Sequence, residues 1–240
     1  MKQKSKRTAA PKKTRKAPPA ERRFIASSGD TGLTVEYRDA GEGTEKTAVI
    51  RGTAIVFNSE SRDLGGFREI IMPEALDKFF ERNSNAPDVA ALFNHDTGEV
   101  LGRTPDTLKL SRDDKGLHFE LTPPKSRADV LESVARRDIR GASFAFTLAK
   151  GGDTWKEGDE GPIRTIREID QLFEVSLVLQ PAYEATSVTA AKRSMASWKR
   201  SRTAKKKASA EKESQRNDLV ERLKSSASSL REYLQQRGSK

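Results

Sequence analysis

Residues 140–147 of this 240-residue chain read Arg140-Gly141-Ala142-Ser143-Phe144-Ala145-Phe146-Thr147. After the glycine, apolar residues alternate with small or polar ones, which is the two-residue period of a β-strand. Two other strand-like segments carry side chains that can accept or donate protons: Asn94-His95-Asp96 and Phe173-Glu174-Val175-Ser176-Leu177. If the fold brings these segments together, a serine, a histidine and a carboxylate become a candidate nucleophile, base and orienting acid.

The sequence around this stretch predicts a mainly β fold. A helix is predicted over residues 73–82, where proline suits the first position and Leu76, Phe79 and Phe80 form one apolar face. A capping box at Ser126-Arg127-Ala128-Asp129 predicts a second helix that ends near Arg137. Strands do not alternate with helices, so we expect an α+β antiparallel sheet or closed β-barrel flanked by a few helices. Strands are predicted at 32–37, 47–57, 67–71, 89–93, 117–121, 144–148, 163–169 and 172–179, with a Gly/Asp/Glu loop at 151–161.

Charge is distributed unevenly and divides the chain into three parts. Residues 1–23 have a net charge of +9, residues 24–191 have −9, and residues 192–240 have +10. The high isoelectric point therefore belongs to the two ends, and the central part is acidic. A protein that reads nucleic acid is expected to have a basic folded face. This charge pattern therefore argues against nucleic-acid binding by the folded domain.

The two ends are predicted to be tails. Residues 1–23 have almost no large apolar side chain and are expected to be disordered. Residues 24–190 form the predicted β domain, and residues 191–240 form a basic linker followed by a helix from Glu211 to Gln236. In this helix, leucines at 219, 223, 230 and 234 approach the spacing of a coiled-coil seam. The basic N-terminal tail either tethers an acidic partner or nucleic acid, or is a solvated segment without a role. The C-terminal helix either packs against a partner helix or a second copy of itself, or forms only transiently.

Several classes of protein are excluded by composition. The chain contains no cysteine, so disulfides, thiolate zinc sites and cysteine nucleophiles are absent. No apolar run is long enough for a transmembrane helix, and no apolar core follows the basic start as it would in a secretory signal. His95 and Asp96 lack a second histidine or a cysteine cluster, so no metal or other cofactor is expected.

The catalytic candidates each have an alternative interpretation. Of the two histidines, His118 lies in an alternating strand and shares a face with Glu120, which favours exposure, whereas His95 ends a strand. Glu174 lies in an apolar strand, where a carboxylate requires a hydrogen-bonded partner such as an imidazole. From the pattern alone, a lone histidine at a strand end is more often structural than catalytic, and Glu174 can instead point to solvent on one face of its strand. Asp96 and Asp170 are rival acids.

Residues 47–188 resemble the serine proteases of tailed-phage proheads, which are distant relatives of the herpesvirus assemblins. The resemblance covers about 140 residues, and its short motifs occur in a specific order. One departure is Ala145, because the family often has glycine at this position. The motifs are Gly52-Thr53-Ala54-Ile55-Val56-Phe57-Asn58, Phe67-Arg68-Glu69, Pro73-Glu74-Ala75-Leu76, Leu92-Phe93-Asn94-His95-Asp96, Gly102-Arg103-Thr104, Gly116-Leu117, Arg140-Gly141-Ala142-Ser143-Phe144, Glu174-Val175-Ser176-Leu177-Val178 and Pro181-Ala182-Tyr183.

The resemblance implies a β-barrel ringed by helices and a serine endopeptidase that cleaves scaffold or capsid protein, and itself, inside the immature capsid in the bacterial cytoplasm. It assigns Ser143 as nucleophile and His95 as general base. Glu174 is the expected third member, although assemblins use a second histidine there, for which His118 is the candidate. The implied partners are capsid and scaffold proteins and further copies of the chain, with no membrane. Two other functions remain: a non-catalytic assembly protein on the same fold, and, from the isoelectric point alone, a nucleic-acid-binding protein.

Overall fold

The computed structural model describes residues 20–25, 32–38, 47–84, 86–179 and 189–237. The chain divides into two compact units, Met1–Ala191 and Lys192–Lys240. This division lies one residue from the predicted boundary between 190 and 191. In the described residues, the first unit contains twelve strands and two short α-helices.

The strands follow one another along most of the first unit, and helices interrupt them twice. A 3₁₀ turn at Pro73–Leu76 leads into α1 (Asp77–Arg82), and another at Lys125–Arg127 leads into α2 (Ala128–Ala135). A third helix, α3 (Thr189–Arg237), forms most of the second unit. The strands are β1 (Glu21–Ile25), β2 (Thr34–Arg38), β3 (Thr47–Val56), β4 (Arg68–Ile71), β5 (Ala90–Phe93), β6 (Asp96–Arg103), β7 (Leu108–Arg112), β8 (Gly116–Leu121), β9 (Gly141–Leu148), β10 (Asp153–Gly158), β11 (Gly161–Ile166) and β12 (Ile169–Val178).

The strands form three sheets, and the described residues contain no closed barrel. Their orders are β1-β9-β12-β5-β6, β2-β3-β8-β7 and β10-β11-β4. Two neighbouring pairs are parallel, β12 with β5 and β11 with β4. The predicted mainly β, α+β class is confirmed, whereas the predicted closed antiparallel barrel is wrong. Alternation of apolar residues identifies a strand but carries no information about its neighbour or direction, so it did not reveal these parallel pairs.

The three sheets share one apolar core. The predicted face of the first helix is confirmed, because Leu76, Phe79 and Phe80 are all buried in it. In β9, Ala142, Phe144 and Phe146 contribute to the same core. Ser143, Ala145 and Thr147 occupy the alternate positions of that strand and therefore the other face of the sheet. This face carries the candidate catalytic residues.

Four local predictions differ from the structure. Residues 21–23, assigned to a disordered tail, form most of β1, and the predicted loop at 151–161 contains β10. α3 begins at Thr189, two residues before the predicted linker, and continues through it, because its alanine, lysine and arginine residues favour helix. α2 begins without a side-chain cap, so the predicted capping box is wrong. The remaining tail residues, 1–19, lie outside the described residues, as do Pro181, Ala182 and Tyr183.

Long-range contacts explain two of the strands that were not predicted, β1 and β10. β1 pairs with β9, and its buried charges meet partners from other strands, as described below. β10 forms a hairpin with β11, and its Trp155 packs against Phe67 with ring centroids 5.3 Å apart. Neither contact is visible in a local sequence window. The polar composition of both segments therefore predicted a coil.

Candidate active site

Ser143 lies on β9 between β1 and β12. Its side chain is 2% exposed, and its hydroxyl donates a hydrogen bond to the backbone carbonyl oxygen of Arg23 at 2.9 Å. Ser143 is directly opposite Phe24 on β1 and directly opposite Ser176 on β12. The serine is therefore enclosed by both neighbouring strands.

A β-bulge in β12 orients Glu174. Leu172 and Glu174 are paired with consecutive residues of β9, Phe146 and Ala145, so Phe173 is the extra residue. Phe173 is 46% exposed, whereas Leu172 and Glu174 are buried. Because opposing residues project from the same side of a sheet, the bulge places Glu174 on the face of Ala145 and Ser143. Bulges of this type re-aim a side chain, often beside a functional site.

His95 lies in the tight turn between β5 and β6. Asn94 and His95 both have left-handed backbone angles, with φ of 50° and 63°. Asn94 fixes the turn to β12, because its N–H bonds to Leu177 O at 2.9 Å and its side-chain oxygen accepts the N–H of Leu179 at 3.1 Å. These contacts turn the chain so that the imidazole faces β12.

His95 and Glu174 form a direct hydrogen bond between Nδ1 and Oε1. Both side chains are largely buried, with 7% and 8% exposed. A neutral imidazole that donates from Nδ1 to a carboxylate leaves Nε2 unprotonated, which is the form able to accept a proton. A carboxylate in this position also stabilises the imidazolium once the proton has been taken.

β1 contacts Ser143 and Glu174 through two consecutive residues. The carbonyl of Arg23 accepts the Ser143 hydroxyl, and the Nε of Arg22 lies 3.7 Å from Oε1 of Glu174. The guanidinium of Arg22 is half exposed. It adds a positive charge beside the carboxylate oxygen that also accepts the hydrogen bond from His95.

A network of buried charges anchors β1 on its other face. Arg23 bonds to Glu69 on β4 at 2.7 Å and to Glu21 at 2.6 Å, and Arg164 on β11 bonds to Glu21 at 2.7 Å and to Glu69 at 3.0 Å. All four side chains are less than 10% exposed. Asp153 on β10 is an additional partner of Arg164. The network joins the sheet of β9 to the sheet of β10, β11 and β4.

The charges in this network stabilise one another. Burial by itself raises the pKa of Glu69, but the ion pairs and hydrogen bonds with Arg23 and Arg164 outweigh it and hold the pKa below its usual value. Burial likewise lowers the pKa of Arg23 and of Arg164, and their acidic partners more than reverse this effect. All three groups therefore remain charged in the folded protein at neutral pH.

The rival candidates have other partners. His118 contacts Thr53 Oγ1 and Asp113 Oδ1, each at 3.1 Å, within the β3, β7 and β8 sheet. Asp96 accepts the backbone N–H of Gly98, and Asp170 accepts a bond from Arg82. The structure therefore joins His95 to Glu174. Among the described contacts, Ser143 bonds to Arg23, and none joins its hydroxyl to His95.

Neither β1 nor the position of Ser176 opposite Ser143 was predicted from the sequence. The only signal for β1 was the apolar pair that ends Glu21-Arg22-Arg23-Phe24-Ile25. Ser176 was visible in its apolar strand, but its position opposite Ser143 depends on a strand register that a single sequence does not reveal.

The described residues also contain a large cavity apart from the candidate catalytic residues. A cavity of about 1370 Å³ lies between α2 and parts of β2 and β6, away from Ser143, His95 and Glu174. No group of acidic or histidine side chains suited to a metal ion occurs in the part of the chain that the structure describes. Within that same part, no helix is long and apolar enough to cross a membrane.

Comparison with known protein families identifies the chain. The model of the caudovirus prohead serine proteases matches residues 33–201. The chain belongs to this family. Among curated proteins, no match was found. Among solved structures, the bacteriophage T4 capsid assembly protease gp21 is similar with a TM-score of 0.46 and 11% identity, over 66% of this chain and 98% of that one.

Proposed function

We propose that this prohead protease family member is a serine endopeptidase with Ser143 as nucleophile, His95 as general base and Glu174 as the orienting acid. The single observation that carries the assignment is the buried bond between His95 Nδ1 and Glu174 Oε1. It fixes the imidazole in the tautomer required for a base. The nucleophilic serine lies on the same face of the adjacent strand.

Peptide cleavage begins when the hydroxyl of Ser143 exchanges Arg23 O for the Nε2 of His95. As Oγ attacks the carbonyl carbon of the substrate, its proton passes to Nε2, and Glu174 stabilises the resulting imidazolium. The imidazolium then protonates the departing amine, and the acyl group stays on Ser143. Water, deprotonated by His95, hydrolyses this ester and regenerates the free serine.

The proposed substrates are segments of scaffold and capsid proteins, and of this chain itself, within the immature capsid in the bacterial cytoplasm. The name of the family refers to the prohead, which supports this class of substrate. The basic segments at the two ends of the chain provide the charge for a tether to an acidic partner.

Intact-mass analysis of the purified full chain tests the proposal. We expect trimmed species in the wild type and none in Ser143→Ala. Ser111→Ala is the matched control, because Ser111 is an exposed serine on β7. Covalent labelling of the wild type by a fluorophosphonate, with loss of labelling in Ser143→Ala alone, identifies the nucleophile directly. Equal trimming in wild type and Ser143→Ala contradicts the role of this serine.

A non-catalytic assembly protein is the second candidate. The observation in its favour is the covered state of Ser143, which is 2% exposed and bonded to Arg23. This candidate predicts that the wild type neither trims nor labels but still enters capsid precursors. Trimming or labelling that depends on Ser143 rejects it.

A further inference from the structure

Ser176 is a buried hydroxyl that the catalytic assignment leaves unused. Its side chain is completely buried, and its Oγ has no hydrogen-bond partner among the described residues. A buried hydroxyl without a partner is destabilising. Alanine at this position would fit between Val175 and Leu177 without this cost. An unsatisfied polar group in a native protein therefore requires a reason, and a functional site is one.

The position of Ser176 supplies that reason. It is the direct partner of Ser143 across the β9 and β12 ladder, and it lies two residues after Glu174. Opposing residues on one face of an antiparallel pair have Cβ atoms about 4.5–5.5 Å apart. The two hydroxyls are thus side by side on the face that carries the acid.

The hydrogen-bonding capacity of the two serines is complementary. The Ser143 hydroxyl donates to Arg23, so the lone pairs on its oxygen can still accept a bond. During reaction this oxygen loses its proton to the base and becomes a stronger acceptor. Ser176 has a proton to donate and, among the described residues, no other acceptor for it.

We propose that Ser176 is a positioning residue that donates a hydrogen bond to Ser143 Oγ when the Ser143 hydroxyl turns from Arg23 to His95. This bond holds Ser143 in its reactive rotamer. The inference rests on the proposed protease function and adds a residue to it.

Ser176→Ala in the full chain tests this inference through stability and turnover together. We expect an unchanged or higher Tm, because an unsatisfied group is removed. We also expect kcat to fall by roughly tenfold to a hundredfold with little change in KM, which is less than for loss of a direct transition-state donor. Labelling by a fluorophosphonate should slow by a similar factor. Thr147→Val, a buried hydroxyl removed from the same face of β9, is the matched control and should label normally.

The outcomes separate this inference from the function on which it rests. A normal kcat and normal labelling rate in Ser176→Ala overturn the role of Ser176 alone. A loss of activity that parallels a fall in Tm also overturns it, because that result describes a structural residue. Wild-type protein that neither cleaves nor labels overturns the proposed function and this inference with it.

A second inference comes from β1. This strand spans Glu21–Ile25, whereas the family match begins at residue 33. β1 therefore lies outside the matched region, yet it forms the edge of the sheet that carries Ser143. Arg23 engages the nucleophile and Arg22 approaches the acid.

Release of β1 leaves the buried charges beneath it partly paired. Arg164 still contacts Glu69 at 3.0 Å and Asp153 at 2.8 Å, and neither partner belongs to β1. An uncompensated buried charge, the largest cost of breaking such a network, is thus avoided. The geometry points to β1 as an inhibitory strand of this chain, which lowers the reactivity of Ser143 for as long as it stays paired with β9.

A reversible disulfide tests the inhibitory role in the full chain. Arg22 and Ala145 are directly opposite one another, and opposing Cα atoms are about 4.5–5.5 Å apart, within the range that a disulfide spans. The natural chain has no cysteine, so Arg22→Cys with Ala145→Cys introduces one defined pair. Each single substitution controls for the change of side chain.

We expect the oxidised double variant to label with a fluorophosphonate at least tenfold more slowly than the same protein after reduction. Neither single variant should respond to reductant. Equal rates before and after reduction of the double variant overturn the inhibitory role of β1. The comparison is made within one protein, so any effect of the substitutions on the site cancels.

Discussion

The Nδ1 atom of His95 donates to the Oε1 atom of Glu174, and the two residues are separated by 79 positions in the chain. The parallel pairing of β5 with β12 brings them together, because His95 follows the end of β5 and Glu174 lies within β12. The Asn94 turn and the bulge at Phe173 then direct the two side chains towards each other. The bond therefore depends on three features of the backbone.

Replacement of Glu174 by glutamine is expected to reduce kcat by about 10³–10⁴-fold, because the amide stabilises neither the required imidazole tautomer nor the imidazolium. The rate of cleavage of a peptide substrate measures this effect. Asp170→Asn is the matched control, since Asp170 is an acid of the same strand whose partner is Arg82. If Asp170→Asn causes the larger loss, the acid has been assigned to the wrong residue.

Substitutions of the two histidines are expected to have very different effects on the labelling of Ser143. His95→Ala should abolish labelling of Ser143, because it removes the proposed base, whereas His118→Ala should label at the wild-type rate. His118 bonds to Thr53 and Asp113, and its loss should lower Tm slightly. The paired measurements are labelling rate and thermal unfolding. A His118→Ala variant that folds but does not label would transfer the role of the base to His118.

Much of this site could be anticipated from the chain alone. The alternation around Ser143 correctly predicted β9, and the apolar surroundings of Glu174 correctly indicated a buried carboxylate that needs a partner. His95 was expected at a strand end, and it lies in the turn two residues after the end of β5. These features are local, and local patterns record burial and period.

Features that depend on strand pairing were not predictable. The contact between Arg23 and Ser143 joins positions that are 120 residues apart in the chain. The charged side chains of β1 are stable in the interior only because they form ion pairs with Glu69 and Arg164. A lone Glu21-Arg22-Arg23 segment has the composition of a solvated tail. The prediction of a closed barrel was wrong for the same reason, because strand order and direction depend on long-range contacts.

The buried charges predict a defined sensitivity to acid. Because the pKa of Glu69 is lower in the folded than in the unfolded chain, its contribution to stability is complete above the ordinary value of 4.5 and is lost as the pH falls through the folded value. The free energy of unfolding should therefore decrease below pH 4.5. Denaturant titration at a series of pH values measures this slope.

Glu69→Gln tests the origin of this sensitivity. It should lower the free energy of unfolding at neutral pH by about 3–5 kcal/mol, because Arg23 and Arg164 each lose a buried partner. It should also flatten the acid slope. Glu60→Gln, which disrupts a partly exposed pair with Arg68, should cost less than about 1 kcal/mol. An unchanged acid slope in Glu69→Gln would assign the sensitivity to other carboxylates.

α3 is expected to have concentration-dependent helicity. Its side chains are mostly charged or polar, and Leu219, Val220 and Leu223 are exposed, so the isolated helix is only marginally stable. Circular dichroism of a 192–240 peptide should show helix content that rises with concentration. Leu219→Ser with Leu223→Ser should remove this rise, and Ser209→Ala should retain it. Helicity independent of concentration in the natural sequence would exclude self-association through these leucines.

The order of the strands also has a consequence for synthesis of the protein. Ser143 and His95 are translated before Glu174, and β12 must insert between β9 and β5 before His95 can bond to Glu174. A nascent or truncated chain that lacks β12 therefore contains the serine and the histidine but not the polarised imidazole. The proposed protease thus acquires its complete set of catalytic groups only after almost all of the first unit has been made.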